Sequence, residues 1–257
     1  MLNITKMELQ RLYKSKSFYI CLIALFVMFG IIVNSQNQAQ MQGTFGNVLD
    51  KEYLQGLYMN VDVNIYTTAD FFAVFGKSYL PLVFGIYLVI FTCNEYQHGF
   101  IKNTVMMQSN RLAIVVSKLV VSLFMLVIAM MVSLLSFTLF GFLFIHGFSM
   151  GIDINFFVYI VIWLLVNIAF CSLLIMVSEL SENKVIGIIL SFVICLGVII
   201  MFIGDYDIFE YSLSYLLTSL PLEFSTDIGV RTIVMSLFYV ILYNGISFYW
   251  IQKKDIQ

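Results

Sequence analysis

Six long apolar runs constrain this chain more than any other feature of its sequence. The runs cover residues 18–33, 71–93, 119–145, 156–177, 185–203 and 230–251. A helix needs roughly 20 apolar residues to cross a bilayer core about 30 Å thick, and the runs have lengths near that value. The sequence therefore predicts an all-α polytopic membrane protein with six transmembrane helices.

The overall composition supports the same class. Hydrophobic residues make up 61% of the 257 residues and charged residues only 11%, with a mean hydropathy of +0.97. Because soluble domains carry about 25% charged residues, a soluble globular chain is excluded. The sequence shows no internal repeat, and spans 1–3 have no clear inverted relation to spans 4–6, which would favour a secondary transporter. We therefore treat residues 1–257 as a single transmembrane domain.

The distribution of charge sets the predicted orientation. When both termini are placed in the cytosol, ten of the 13 basic residues lie on the inner side and ten of the 15 acidic residues lie on the outer side. Lys and Arg concentrate in the short cytosolic segments of membrane proteins. The prediction is a multi-pass protein with both termini in the cytosol.

The first 17 residues form a basic segment ahead of span 1. Four of its apolar residues share one side of a helical wheel: Leu2, Leu9, Leu12 and Tyr13. This pattern suits an interfacial helix at the cytosolic headgroup level. A plain basic flank of the first span explains the charges equally well. No small-residue cleavage site follows the first apolar run, so we expect that span to be retained.

Few residues in the sequence suit catalysis or metal binding. The four cysteines lack CxxC spacing and lie in or beside apolar runs. His98 and His146 fall on opposite sides of the predicted topology, so they cannot share a metal ion. The chain has no HExxH sequence and no P-loop sequence. We expect a chain that is not an enzyme, holds no metal and binds no cofactor of its own.

Two asparagines lie in the middle of predicted spans, Asn167 in span 4 and Asn244 in span 6. Polar side chains within spans often hydrogen-bond to neighbouring helices at under about 1 kcal/mol each. The same residues could instead line a substrate path. The sequence leaves both interpretations open.

The charged stretch at residues 93–118 separates spans 2 and 3 on the predicted cytosolic side. It contains six notable polar, charged or glycine positions: Glu95, His98, Gly99, Lys102, Arg111 and Lys118. Residues 100–108 have the apolar content of a short helix with one buried face. Such a helix is a suitable docking site for a soluble partner. An ordinary surface loop with basic residues is the alternative.

The pattern Glu95-x-x-x-Gly99-x-x-Lys102, followed by a basic residue at Arg111, resembles the loop after the second helix of ABC-2 type permeases. These proteins are the membrane subunits of ABC exporters. The whole layout agrees, from the basic N-terminal helix to the aromatic segment between spans 5 and 6. Two departures concern the fine detail of coupling. The basic residue that often follows the glutamate is absent at Tyr96 and Gln97, and the proline that often precedes the arginine is absent at Gln108, Ser109 and Asn110.

The resemblance implies a role for each of these segments. Residues 1–17 would be the connecting helix, 100–108 the coupling helix that docks on an ATPase, and 178–184 a second, smaller contact. Residues 205–229 would form re-entrant outer helices. The residues implied in ATPase coupling are Glu95, Gly99, Phe100, Lys102, Met107, Arg111, Lys118, Glu179 and Glu182.

The resemblance also implies partners and a location. Two copies of a P-loop ABC ATPase would bind ATP and Mg, and the permease would pair with itself or with a related chain in the bacterial cell membrane. Small permeases of this kind export amphipathic peptides or hydrophobic toxins, including in immunity to bacteriocins and lantibiotics. The resemblance implies no nucleic-acid partner. A stand-alone transporter or channel and a non-transporting scaffold or sensor are the alternatives. Co-purification with a P-loop ATPase separates an exporter from the first alternative, and ATP-dependent substrate movement separates it from the second.

Overall fold

The computed structural model describes residues 2–42, 67–97, 111–145, 147–196, 210–222 and 226–253. Helices dominate these ranges, which contain no β-strand, only an isolated parallel bridge between Thr67 and Ser149. The helices, in chain order, are α1 Leu2–Lys14, α2 Lys16–Gln42, α3 Thr68–Phe71, α4 Lys77–Gln97, α5 Arg111–Phe144, α6 Ile154–Ser181, α7 Lys184–Cys195, α8 Leu213–Thr218 and α9 Thr226–Lys253. A π-helical turn, Phe72–Gly76, joins α3 to α4.

Five of the described helical segments are long and apolar enough to cross a membrane. They are Lys16–Gln36, Thr68–Glu95, Ala113–Phe144, Ile154–Ser181 and Asp227–Lys253. They match predicted spans 1, 2, 3, 4 and 6. At predicted span 5, helix α7 has only 12 residues, and residues 197–209 lie outside the described ranges. The six-span count, the cytosolic termini and the re-entrant outer helices therefore stay predictions.

Helix α6 is the centre of the bundle. Of its apolar window 61% is buried, against 28% for the first span and 17% for the last. It packs most extensively against α9, while α5 packs against α2 and α1. The large side chains of Tyr159, Trp163 and Phe170 are fully buried along α6. Outer faces such as Val234 and Ile241 of α9 stay exposed and apolar, as expected for a surface covered by lipid.

Several helices extend beyond the apolar runs that predicted them. Helix α5 begins at Arg111 rather than at residue 119, and α6 continues to Ser181 rather than ending at residue 177. An apolar run marks the part of a helix that lies in hydrocarbon, whereas the backbone hydrogen-bond ladder continues into polar residues. The expected cytosolic loop at 93–118 and turn at 178–184 are therefore shorter than predicted. Residues 93–97, 111–118 and 178–181 are helical.

The predicted N-terminal helix is present as α1. It ends at Lys14, and Ser15 separates it from α2. Ile4, Glu8 and Leu12 are buried against the bundle. Tyr13, expected on the apolar side, is 51% exposed instead, because the buried face follows the positions 4, 8 and 12 of one helical stripe. Helix α1 therefore rests on the bundle, mainly on α5.

At the other end of the bundle, the segment before α6 packs against the start of α3. Thr67 caps α3 by accepting a hydrogen bond from the backbone N–H of Asp70. Gly151 adopts a φ of +56°, and a Cβ at this position would lie 2.5 Å from the Cβ of Thr67. Only glycine combines a positive φ with such a close approach without strain. This contact fixes the connection between α5 and α6 to the beginning of the second span.

Candidate functional site

Five charged side chains from four helices meet at one end of the bundle, and we call them the charge cluster. They are Glu8 and Arg11 of α1, Glu95 of α4, Lys118 of α5 and Glu179 of α6. Four of the five are almost fully buried, and Arg11 has only 24% of its side chain exposed. Charged groups inside membrane proteins are rare and mark functional sites by default. The charge cluster is therefore the candidate functional site.

Arg11 joins α1 to the end of α4. Its Nη1 lies 2.6 Å from Glu95 Oε1 and 3.3 Å from Glu8 Oε2. Its Nη2 donates a hydrogen bond of 2.8 Å to the carbonyl oxygen of Phe91. The guanidinium also lies over the Phe91 ring, with Cζ 4.3 Å from the ring centroid. The planar fork of arginine suits such a multiple contact, which fixes the angle between α1 and α4.

Lys118 joins α5 to two neighbouring helices. Its Nζ lies 2.8 Å from Glu179 Oε1 and 3.3 Å from Glu95 Oε2. The second oxygen of Glu179 accepts a hydrogen bond from the Ser247 hydroxyl of α9. Through Lys118 and Glu179, the charge cluster thus connects α1, α4, α5, α6 and the final helix.

Burial makes these pairs energetically sensitive. Desolvating a charge costs several kcal/mol, and attraction between close partners offsets this cost only while the pairs are intact. Removing one partner of a buried pair destabilises a protein by about 3–5 kcal/mol, because the other charge stays buried without compensation. The charge cluster therefore favours one arrangement of five helices and penalises any separation of its members.

Glu8 has an altered acidity within the charge cluster. Burial, followed by the nearby negative charge of Glu95, raises the pKa of the Glu8 carboxyl from 4.5 to about 8. Arg11 and Lys118 oppose this rise but do not cancel it. At neutral pH the Glu8 carboxyl is therefore mostly protonated.

Within the described part of the chain, no group of three or more His, Cys, Asp or Glu side chains could hold a metal ion. Arg11 and Lys118 already supply the positive charge that faces the three carboxyl groups.

Three of the predicted coupling residues come together in the charge cluster: Glu95, Lys118 and Glu179. Glu182 does not join them; it is exposed at the end of α6 in a left-handed conformation with a φ of 51°. Arg111 is the first residue of α5. The remaining predicted coupling residues, Gly99, Phe100, Lys102 and Met107, lie outside the described residues, as does the predicted coupling helix at 100–108.

Sequence reasoning missed three members of this site, Glu8, Arg11 and Ser247. Glu8 and Arg11 both lie in the basic N-terminal segment, where the sequence indicated no coupling residue. The available signal was the placement of an acid and a base three positions apart on a predicted helix, where such pairs meet on one face. Ser247 carries no comparable signal, because a serine within an apolar span is common.

The two asparagines make hydrogen bonds within the bundle. Asn167 is buried and donates to the Trp163 carbonyl oxygen over 2.8 Å. Asn244 donates to the Val240 carbonyl oxygen and, over 3.1 Å, to Ser172 of α6. The Asn244–Ser172 contact links the two helices that pack most extensively, as expected for interhelical hydrogen bonds. A role of either asparagine in a substrate path stays a prediction.

The sequence Gly147-Phe148-Ser149-Met150-Gly151 matches the GxSxG pattern of serine hydrolases. In a nucleophile elbow this pattern lies between a strand and a helix. Here the helix α5 precedes it, and Ser149 pairs with Thr67 through a backbone bridge. The pattern therefore lacks the structural context of a hydrolase site.

Comparison with protein families gives a match over most of the chain. A family model described as "ABC-2 family transporter protein" matches residues 4–198. The matched range contains all five charged members of the charge cluster and excludes Ser247. No curated protein matches the chain.

Proposed function

We propose that this chain, which belongs to the ABC-2 family of transporter proteins, is the membrane-spanning permease subunit of an ATP-driven exporter. Membership of this family implies an ABC transporter with an ATPase partner. The chain itself has no P-loop sequence, so ATP and Mg would bind to the partner. In the proposed assembly, two ATPase subunits drive two permease chains, which are identical or related.

The charge cluster is the observation that supports this proposal most directly. Glu95 lies two residues before the end of α4, and Lys118 lies in the first turns of α5. These two helix ends flank residues 98–110, which contain the proposed docking segment for the ATPase. A displacement of that segment would act first on the Glu95–Lys118 pair.

The charge cluster also offers a route from this segment to the rest of the bundle. Arg11 connects Glu95 to α1, and Lys118 connects Glu95 to Glu179 of the central helix α6. Ser247 extends the connection to α9. In the proposed mechanism, ATP binding closes the two ATPase subunits, residues 100–108 move with them, and the charge cluster passes this movement to α6 and α9.

The proposed substrates are amphipathic peptides or toxic hydrophobic compounds. This part rests on the resemblance of the chain, in size and layout, to small permeases that give immunity to bacteriocins or lantibiotics. The proposed location is the bacterial cell membrane, as the family resemblance implies. The bias of basic residues towards one side of the membrane supports the placement of both termini in the cytosol.

Affinity purification of the tagged chain from its native host in mild detergent tests the proposal. We expect a P-loop ATPase to co-purify in stoichiometric amount. Replacement of residues 100–108 by a glycine–serine linker of equal length should release the ATPase, while the same replacement of residues 219–222 at the opposite end should not. A chain that purifies alone and without ATPase activity would contradict the proposal and favour a channel or a scaffold.

A further inference from the structure

We propose that the charge cluster is a proton-binding site, in which the carboxyl group of Glu8 holds a proton beside Glu95 while α1 is packed against the bundle. This inference goes beyond the proposed function, because it concerns the chain itself and needs neither ATPase nor substrate. It assigns to α1 a second role besides the positioning of α4.

The positions of the two carboxyl groups are the first support. One oxygen of Glu8 and one oxygen of Glu95 both lie within 3.3 Å of the same nitrogen, Nη1 of Arg11. The two carboxyl groups therefore contact the same guanidinium nitrogen, and both side chains are at least 95% buried. Two carboxylates confined to one buried site cannot both ionise easily, so one of them retains its proton.

The charge balance of the site is the second support. The charge cluster contains three carboxyl groups and two permanent cations. Lys118 faces both Glu95 and Glu179, and Arg11 faces both Glu8 and Glu95. If all three carboxyl groups were ionised, the site would carry a buried excess negative charge, which is strongly unfavourable. One bound proton brings the five groups to neutrality.

The hydrogen bonding around Glu95 is the third support. Glu95 Oε2 is buried and accepts no hydrogen bond from the described residues, although Lys118 lies 3.3 Å away. Two hydroxyl groups line the small cavity beside it, but Thr92 donates to the Leu88 carbonyl and Ser122 to the Leu119 carbonyl. A protonated Glu8 can donate a hydrogen bond to the Glu95 carboxyl group.

The groups that face Glu8 determine the direction of its titration. They are Arg11 on the same helix, Glu95 from α4 and Lys118 from α5, while Glu179 from α6 acts through Lys118. Together with burial they raise the pKa of Glu8 to about 8. When α1 leaves the bundle, Glu8 regains water, its pKa returns towards 4.5, and the proton is released at neutral pH. Binding of the proton and docking of α1 therefore support each other.

Thermal unfolding of the full chain in nanodiscs, without any ATPase, tests this inference. A raised acid pKa stabilises the folded state fully below the unfolded pKa, and this stabilisation is lost as pH rises through the folded pKa. We expect the unfolding temperature of the wild type to fall between about pH 5 and about pH 8 and to change little above that. In Glu8→Gln, which is neutral at every pH, most of this fall should be absent. Asp227→Asn, a control at an exposed carboxylate, should retain it.

An equal fall in wild type and Glu8→Gln would overturn the inference. A second measurement covers the case in which Glu8→Gln does not fold. Infrared spectra of the wild type should contain a protonated carboxylic acid band at pH 7 that disappears by about pH 9 and shifts in frequency in Glu8→Asp. No such band at pH 7 would refute the bound proton. A rise in the unfolding temperature of the wild type on addition of Na⁺ or K⁺ at constant pH, absent in Glu8→Gln, would overturn the bound proton. It would indicate a bound metal cation instead.

The outcome is independent of the transport proposal. The unfolding and infrared experiments use the permease alone, so their failure would leave the co-purification result unaffected. Conversely, a chain that purifies without an ATPase could still bind the proton.

Discussion

Replacement of Lys118 by methionine should destabilise the protein strongly. Methionine keeps most of the length and apolar volume of the lysine stem and removes only the charge. The lysine side chain is 5% exposed and lies 2.8 Å from Glu179 and 3.3 Å from Glu95. After the substitution, Glu179 stays buried with only the Ser247 hydroxyl beside it. Removal of one partner of a buried pair costs about 3–5 kcal/mol, and we expect Lys118→Met to lower the free energy of unfolding by about 3 kcal/mol.

A second substitution identifies the cause. In Lys118→Met/Glu179→Gln the uncompensated carboxylate is also removed, and Glu95 keeps its contact of 2.6 Å with Arg11. The free energy of unfolding of the double variant should therefore be at least about 1 kcal/mol higher than that of Lys118→Met alone. Interaction energies between residues in contact are typically of this size. Lys16→Met, at the exposed first residue of α2, is the matched control and should change stability by less than about 0.5 kcal/mol.

The assay is reversible unfolding in mixed micelles, followed by helical circular dichroism. Two results would refute the reasoning. The first is a stability of Lys118→Met equal to that of the wild type, which would mean that the lysine is not buried among the carboxylates. The second is a double variant no more stable than Lys118→Met. This result would show that Lys118→Met lowers stability through packing rather than through the uncompensated charge on Glu179.

Three further predictions concern coupling to the ATPase and the connection between α5 and α6. Glu95→Gln should leave membrane insertion intact and lower substrate-stimulated ATP hydrolysis several-fold, and unchanged stimulation in reconstituted vesicles would argue against a coupling role. Met107→Asp should weaken ATPase docking, because it adds a charge to the expected apolar face; an undiminished complex on size-exclusion chromatography would place the docking segment elsewhere. Gly151→Val should destabilise the fold by about 1–3 kcal/mol, since its φ is +56° and a Cβ would meet Thr67, and thermal unfolding measures the loss.

The sequence predicted the helices of this bundle better than their contacts. Long apolar runs determine where a chain crosses a membrane, so the described spans coincide with predicted ones. Their ends were less accurate, because Arg111 and Ser181 continue helices into polar sequence. The basic N-terminal segment was also predicted as a helix, but its buried stripe includes Glu8, which no apolar pattern indicates.

Some residues of the charge cluster could be predicted from the sequence, but their contacts with one another could not. Arg11 and Glu95 are separated by 84 positions in the sequence, and Lys118 and Glu179 by 61. Apolar periodicity gives the buried face of each helix but not the height at which two helices meet. The sequence therefore places Lys118 at the cytosolic flank of span 3. In the structure Lys118 is buried and pairs with Glu95 and Glu179. Resemblance to a family selected Glu95, Lys118 and Glu179 as important, and the packing of α4, α5 and α6 explains why they act together.

The most direct test of the proposed function is ATP-dependent transport in proteoliposomes. The chain and its co-purifying ATPase would be reconstituted with a fluorescent amphipathic peptide, and movement of the peptide would be followed after addition of ATP and Mg. The account predicts movement that requires both subunits and that falls sharply in Glu95→Gln although the complex stays assembled. Equal movement with the chain alone, or without ATP, would contradict an ATP-driven permease.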